Sequence, residues 1–230
     1  MRQLNDHAMN DQRAYWDDQF SKYGTLWGEI HSRSAEVALA LFRRHKVSKV
    51  LIPGSGYDRN SKLFSMAGFD VTGIELSVVA CQLARQFDPA TRVINASFFD
   101  YDFGCVRHDA IGCFSVLHLF LESERRLFLE KCAQVLGPNG LLFFTVVSEH
   151  DRYYGQGQRL EDNTFEIKPG KILHFFTEHD LRQHFAAFEI LEMSCVEEQV
   201  MHAEHGRKSY HLRTIFASKP VSDEYLQPGQ

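Results

Sequence analysis

The stretch Val50–Ser77, VLIPGSGYDRNSKLFSMAGFDVTGIELS, decides the fold. A short apolar run meets Gly54-Ser55-Gly56, a helix-like segment follows, and a second apolar run ends on Glu75. Glycine lets the backbone turn tightly and lets a ligand approach the main chain. The helix that follows begins with unpaired N–H groups. An acid about 20 residues past the glycines, at the end of the next strand, can accept both hydroxyls of a ribose. Glu75 stands at that place. Strand, turn, helix and strand therefore read as a nucleotide-type site. A dinucleotide fingerprint needs a third Gly where this chain has Arg59, so NAD is not expected.

Working outward, Ser34–Arg44 reads as an amphipathic helix with Ser34 as its cap, and Lys49–Ile52 as a buried strand. Asp58–Ala67 is a helix closed by Gly68, Asp70–Ile74 a strand, Ser77–Gln86 a helix capped by Ser77, and Thr91–Asn95 a strand. Asp109–Ser115 is apolar on both faces, as a central parallel strand should be. Glu122–Leu136 is an amphipathic helix, stopped by Gly137-Pro138-Asn139-Gly140 before the strand Leu141–Ser148. Alternating strands and helices imply an α/β fold with a parallel sheet covered on both faces. Residues 149–172 read as a long polar excursion, of the kind that often carries function. Thr177–Phe185 is a helix. Phe188–Glu197 and Tyr210–Ser218 are strands, joined by a loop holding His202, Glu204 and His205. With no repeat and no linker, residues 1–230 are expected to form one domain. Residues 1–13 and 221–230 are expected to be flexible, residues 14–46 to form a lid and helix, and residues 149–172 to be an insertion on the substrate side.

Hydrophobic residues make up 44% of the 230, enough for a packed core, and the net charge of −5 disfavours a general nucleic-acid binder. Five irregularly spaced cysteines form no disulfide framework and read as reduced core residues. No apolar run approaches the roughly 18 residues of a membrane span, and no signal-peptide pattern opens the chain. The expected setting is cytoplasmic, with no membrane partner and as a monomer or homodimer.

From about Trp16 to Pro220 the chain resembles a class I S-adenosylmethionine-dependent methyltransferase. VLIPGSGYD resembles the family's first, glycine-rich motif, and GIELS, with Glu75, the second. NASFFD resembles the third, DAIGCFSVLHLF the fourth, and LGPNGLLFFTVVS the turn and fifth strand. The resemblance implies a Rossmann-like three-layer sandwich on a seven-stranded, mostly parallel sheet with an antiparallel last strand. It implies S-adenosylmethionine as cofactor: Glu75 on the ribose, Gly54, Ser55 and Gly56 facing the methionine portion, Leu76, Ser97 and Phe98 framing the adenine, and Ser115 closing the floor. Two departures stand out: Ile52 replaces the acid usual two residues before the first Gly, and Asp58 replaces the third Gly of GxGxG. The methionine ammonium is then left to Asp58 or to a backbone carbonyl. Pro53 in the turn and the aromatic segment Trp16–Phe20 are similar to the thiopurine, tellurite and halide methyltransferases, which implies a small-molecule acceptor.

Methyl transfer is an in-line displacement that needs alignment and exclusion of water, and a base only where the nucleophile must lose a proton. His118, just after the fourth strand, is the candidate base, with loop capping as its alternative role. Trp27, bracketed by Gly24 and Gly28, is the candidate lid over the cofactor, and an aromatic face suits a sulfonium. Tyr153, Tyr154 and His174 are candidates for the substrate side, with loop anchoring as the alternative for each. No metal is expected: His174, His179 and His184 fall five apart, and His202, Glu204 and His205 match no metal-site spacing. Two rival functions stay open, a methyltransferase acting on tRNA or protein and a non-catalytic binder of the same cofactor.

Overall fold

The computed structural model describes the backbone of residues 2–220 and the side chains of residues 12–220. Ten strands and six α-helices follow one another as α1 (Arg2–Tyr23), α2 (Arg33–Arg44), β1 (Lys49–Pro53), α3 (Ser61–Met66), β2 (Asp70–Glu75), α4 (Val78–Phe87), β3 (Arg92–Asn95), β4 (His108–Phe114), α5 (Glu122–Val135), β5 (Leu136–Val147), β6 (Gln158–Glu161), β7 (Thr164–Lys168), β8 (Lys171–His174), α6 (Glu178–His184), β9 (Glu189–His202) and β10 (Gly206–Ser218). The main sheet has seven strands in the order β3-β2-β1-β4-β5-β10-β9. β1 to β5 pair in parallel, and β10 runs antiparallel between β5 and β9. This is the expected α/β sheet with its antiparallel last strand.

One sheet face packs on α5 and α6 through a phenylalanine-rich cluster including Phe98, Phe128, Phe144, Phe176 and Phe185. The other packs on α2 and α3 through Phe42, Phe64 and Phe143. Each such ring withdrawn from water contributes roughly 1.5–3 kcal/mol, which outweighs the weak propensity of short elements such as α3. The strand ends after β1, β2, β4 and β5 thereby meet at one edge, where ligands bind in such sheets.

Several boundaries differ from the sequence reading. Ser77 caps α4, its hydroxyl accepting from Ala80 N at 3.0 Å. The cap of α2 is Ser32 rather than Ser34, accepting from Ala35 N at 3.1 Å. α3 starts at Ser61, not Asp58, because Asp58 sits at φ +63, outside the helical region. The first thirteen residues were expected to be loose, but those from Arg2 onward belong to α1. They show no apolar stripe, yet contain no Gly or Pro to stop a helix growing back from residues 14–23. The expected tail at 221–230 lies outside the described residues. The polar excursion at 149–172 holds an ordered three-stranded sheet, β6-β7-β8. β9 and β10 run on into a long hairpin that turns at residues 203–205. Three of the cysteines are buried, but Cys105 and Cys195 are exposed, which corrects the reading of all as core. Among the described residues no helix is long and apolar enough to cross a membrane.

Candidate active site

The glycine turn is built from alternating left-handed residues: Gly54 at φ +64, Gly56 at +60 and Asp58 at +63. Asp is one of the few non-glycine residues that tolerate this region, so the turn survives the loss of its third Gly. Gly54 has a second reason to be glycine, since a Cβ there would lie 2.5 Å from Val116 Cγ2. Gly73, inside β2, makes room from beneath: a Cβ would meet Ser55 Oγ at 2.6 Å and Asp58 Oδ1 at 3.2 Å. A lone Gly in a buried strand is the sequence signal for that close approach.

The Glu75 carboxylate accepts from Gly56 N at 2.9 Å through one oxygen and from Ser77 N at 2.7 Å through the other. It therefore ties the glycine turn to the start of α4. Burial pushes its pKa up, opposed by these N–H donors. Two cavities meet at this residue, sharing Gly54, Glu75 and Val116. The smaller, about 70 Å³, is lined by Leu76, Ser97, Phe98, Phe120 and, from α1, Gln12. The larger, about 210 Å³, runs from Gly54, Ser55 and Gly56 past Ser115 and Thr145 to Tyr153, Lys171 and Tyr210. Ser115 sits at φ +61 and donates its N–H to Thr145 Oγ1 at 2.9 Å, which turns the chain away at the end of β4.

Trp16, Phe20 and Trp27 roof the larger cavity. Trp27 packs against Trp16 and Phe20 with centroids 5.9 and 6.0 Å away. Its backbone N–H donates to the Tyr57 hydroxyl at 3.1 Å, and that hydroxyl donates to Gly28 O at 2.6 Å. Asp17 anchors the roof to α4 by accepting from the Ser77 hydroxyl at 2.5 Å.

The structure brings together Gly54, Ser55, Gly56, Glu75, Ser115, Trp27, His118 and Tyr153 around the larger cavity, and Leu76, Ser97 and Phe98 around the smaller. Four expectations are corrected. Asp58 is fully buried beneath the turn, beside the Ser55 and Ser61 hydroxyls, and lines neither cavity. His118 is buried, and its Nδ1 accepts from Val147 N at 3.2 Å. Burial, with Lys171 and His174 nearby, pushes its pKa down to about 3. The ring is thus neutral, its lone pair is already engaged, and Nε2 carries the proton: His118 is a hydrogen-bond donor, not a base. His174 binds Thr164 Oγ1 at 2.8 Å and Asp180 Oδ2 at 2.5 Å, locking β8 to the start of α6 away from both cavities. Tyr154 is exposed, donates to Asn163 Oδ1 at 2.9 Å and packs on Phe165 and Phe175, so it braces the small sheet.

Sequence reasoning passed over Arg59, Lys171, Glu198 and Tyr210, all of which line the larger cavity. Burial lowers the Lys171 pKa to about 8, helped by Lys168 and Lys208. Burial raises that of Tyr210 to about 12. His202, Glu204 and His205 gather at the β9–β10 turn with ligand atoms within 4.8 Å of one another, outside the cavity walls.

A family model described as a methyltransferase domain matches residues 27–189. Glycine/sarcosine N-methyltransferase of Aphanothece halophytica is 28% identical over 162 residues, which cover 61% of this chain. The match spans 60% of the length of that curated relative. Among solved structures, 1,6-didemethyltoxoflavin-N1-methyltransferase of Burkholderia thailandensis, with its substrate and S-adenosylhomocysteine bound, superposes with a TM-score of 0.67 at 20% identity. That likeness covers 92% of this chain and 88% of the other. Magnesium protoporphyrin IX methyltransferase of Synechocystis, with bound SAM, gives 0.67 at 13% identity over 92% and 97% of the two chains. Its glycine turn, its ribose-type acid and the match over residues 27–189 lead to one conclusion: the chain belongs to the methyltransferase domain family.

Proposed function

We propose that this protein transfers the methyl group of S-adenosylmethionine to a small-molecule acceptor. The observation that carries the reading is the meeting of two unlike cavities at Glu75. The smaller offers the apolar walls of Leu76, Phe98 and Phe120 and the Ser97 hydroxyl, suited to a purine. The Glu75 carboxylate is held by the backbone N–H groups of Gly56 and Ser77, with that of Leu76 adding its pull. It also lines both cavities, where ribose hydroxyls can reach it. The bare Gly54 lets the ligand pass close to the main chain into the larger cavity.

When bound, the cofactor supplies an electrophilic methyl group on a sulfonium. The protein's own contribution is placement and dryness. Trp27 and Trp16 close the roof and present aromatic faces. Ser115 and Thr145 shape the floor. The acceptor enters beside Tyr153, Lys171 and Tyr210, with His118 offering its Nε2 proton. This wall suits a small polar molecule. We read the described chain as one catalytic unit, a monomer or homodimer of the cytoplasm, in keeping with its free cysteines.

Calorimetric titration with S-adenosylmethionine, S-adenosylhomocysteine and NAD tests the reading, with Glu75→Ala as control. The expected result is micromolar binding of both sulfur nucleosides, at least tenfold weaker in the variant, and none of NAD. Binding of NAD alone, or of none of the three, overturns it.

A further inference from the structure

The turn end of the larger cavity carries two opposite charges that favour each other at a distance without touching. Arg59 follows the glycine turn, and Glu198 lies on β9 of the long hairpin; both line the cavity. Among the described residues neither forms an ion pair within 4.0 Å. Arg59 spends only Nη1, on Ile30 O at 3.1 Å and Trp27 O at 3.4 Å. Its Nη2 and Nε make no hydrogen bond among the described residues, leaving the forked edge that pairs two-fold with a carboxylate. Glu198 is 5% exposed and accepts only a neutral donor, the Ser34 hydroxyl at 2.5 Å. Ser34 Oγ in turn accepts from the Ser32 hydroxyl at 3.2 Å, and Ser32 N donates to Asn60 Oδ1 at 2.9 Å, so the acid is wired to the glycine turn. A buried charge with no ionic partner in contact is costly, and a ligand that brings the complementary charge between the two relieves that cost.

We propose that Arg59 and Glu198 together clamp the amino-acid end of the cofactor, Arg59 taking its carboxylate and Glu198 its ammonium. The clamp rests on the function proposed above. It supplies the charge that Ile52, buried and apolar, cannot supply from the strand before the turn. It also gives the β9–β10 hairpin a task. The hairpin reaches back over the first residues of the fold, where Ala203 N donates to Leu26 O at 2.9 Å, and so brings Glu198 to the cavity.

The test compares two ligands that differ in this end. S-adenosylhomocysteine has the amino-acid group; 5′-methylthioadenosine keeps adenine, ribose and sulfur but lacks it. Calorimetric Kd values are measured for wild type, Glu198→Gln and Arg59→Gln. Glu198→Gln keeps an acceptor for Ser34 and changes only the charge. The expected result is that wild type prefers S-adenosylhomocysteine at least tenfold. Each variant should weaken that ligand about tenfold or more and leave methylthioadenosine within twofold. Equal losses for both ligands, or no loss for either, overturn the clamp while leaving the cofactor assignment standing. Wild type that binds neither nucleoside overturns the cofactor assignment and the clamp with it.

Discussion

Asp58 shows how one residue both permits and taxes the turn. Its backbone holds φ +63 where glycine is usual, and its carboxyl is packed under β2 at Gly73. Burial, with Asp88 and Glu75 adding repulsion, raises its pKa from 3.8 to about 7 against the help of Ser61 and Ser55. The unfolded chain therefore releases this proton near pH 4 and the folded chain only near 7. Between those values the folded state binds more protons, so stability falls as pH rises. The loss is on the order of 4 kcal/mol, at about 1.4 kcal/mol per pH unit. Asp58→Asn keeps a residue that tolerates the left-handed region and cannot ionise. Urea denaturation should show the variant and wild type close near pH 4 and the variant more stable by about 4 kcal/mol at pH 8. A difference that stays constant with pH would remove the buried acid from this account. At the same scale, Glu75 and the glycines were legible because their spacing is local. Glu198 was not, because its partner Ser34 lies 164 residues away. The protonation of His118 was hidden too, since it turns on the direction of one N–H, that of Val147.

Elements were readable where the pattern is strong and hidden where it is short or wet. Ser77 before an apolar helical period announces α4, and the run Leu141–Val147 is strand by composition alone. The small sheet β6-β7-β8 escaped because each strand has only four or five residues and mixes apolar with charged or polar side chains. The far half of the β9–β10 hairpin escaped because its residues break the pattern that its burial keeps: in β9 the inward positions include the acid Glu198, and the apolar Met201 points outward. The small sheet carries Lys171 and Leu173 to the acceptor side of the cavity and none of its residues to the purine side. Gly157, at φ +86, makes it possible: a Cβ there would stand 2.1 Å from Glu166 O, a backbone atom that cannot swing aside. Gly157→Ala should cost at least about 1–2 kcal/mol locally and open the segment. The expected readout is new proteolytic cleavage between residues 156 and 171 with the Kd for S-adenosylhomocysteine within twofold of wild type. A parallel loss of nucleoside affinity would show that this sheet serves the cofactor instead.

Across the whole molecule the cavity joins parts that the chain keeps far apart. Trp16 and Trp27 come from its first segment, Gly54 and Glu75 from β1 and β2, Ser115 and Thr145 from β4 and β5, and Glu198 and Tyr210 from the closing hairpin. The first segment and the hairpin touch through Ala203 N to Leu26 O, the Tyr23 and His202 rings, and Ser34 to Glu198. A ligand lying in the cavity between them adds to these contacts, and its binding energy should appear as coupled protection of both. At 100 times Kd a ligand adds about 2.7 kcal/mol to stability. In a domain of 150–250 residues each kcal/mol raises Tm by roughly 2–4 °C, so S-adenosylhomocysteine should raise it by about 5–10 °C. Hydrogen exchange then locates the gain. Slower exchange is expected in three places at once: residues 16–30, residues 54–77 and residues 196–212. Glu198→Gln should retain protection at the glycine turn and lose most of it at the hairpin, because the remaining contacts hold only the nucleoside half. Protection confined to 54–77 in wild type would mean that the ligand touches the turn alone, and that roof and hairpin close the cavity without it.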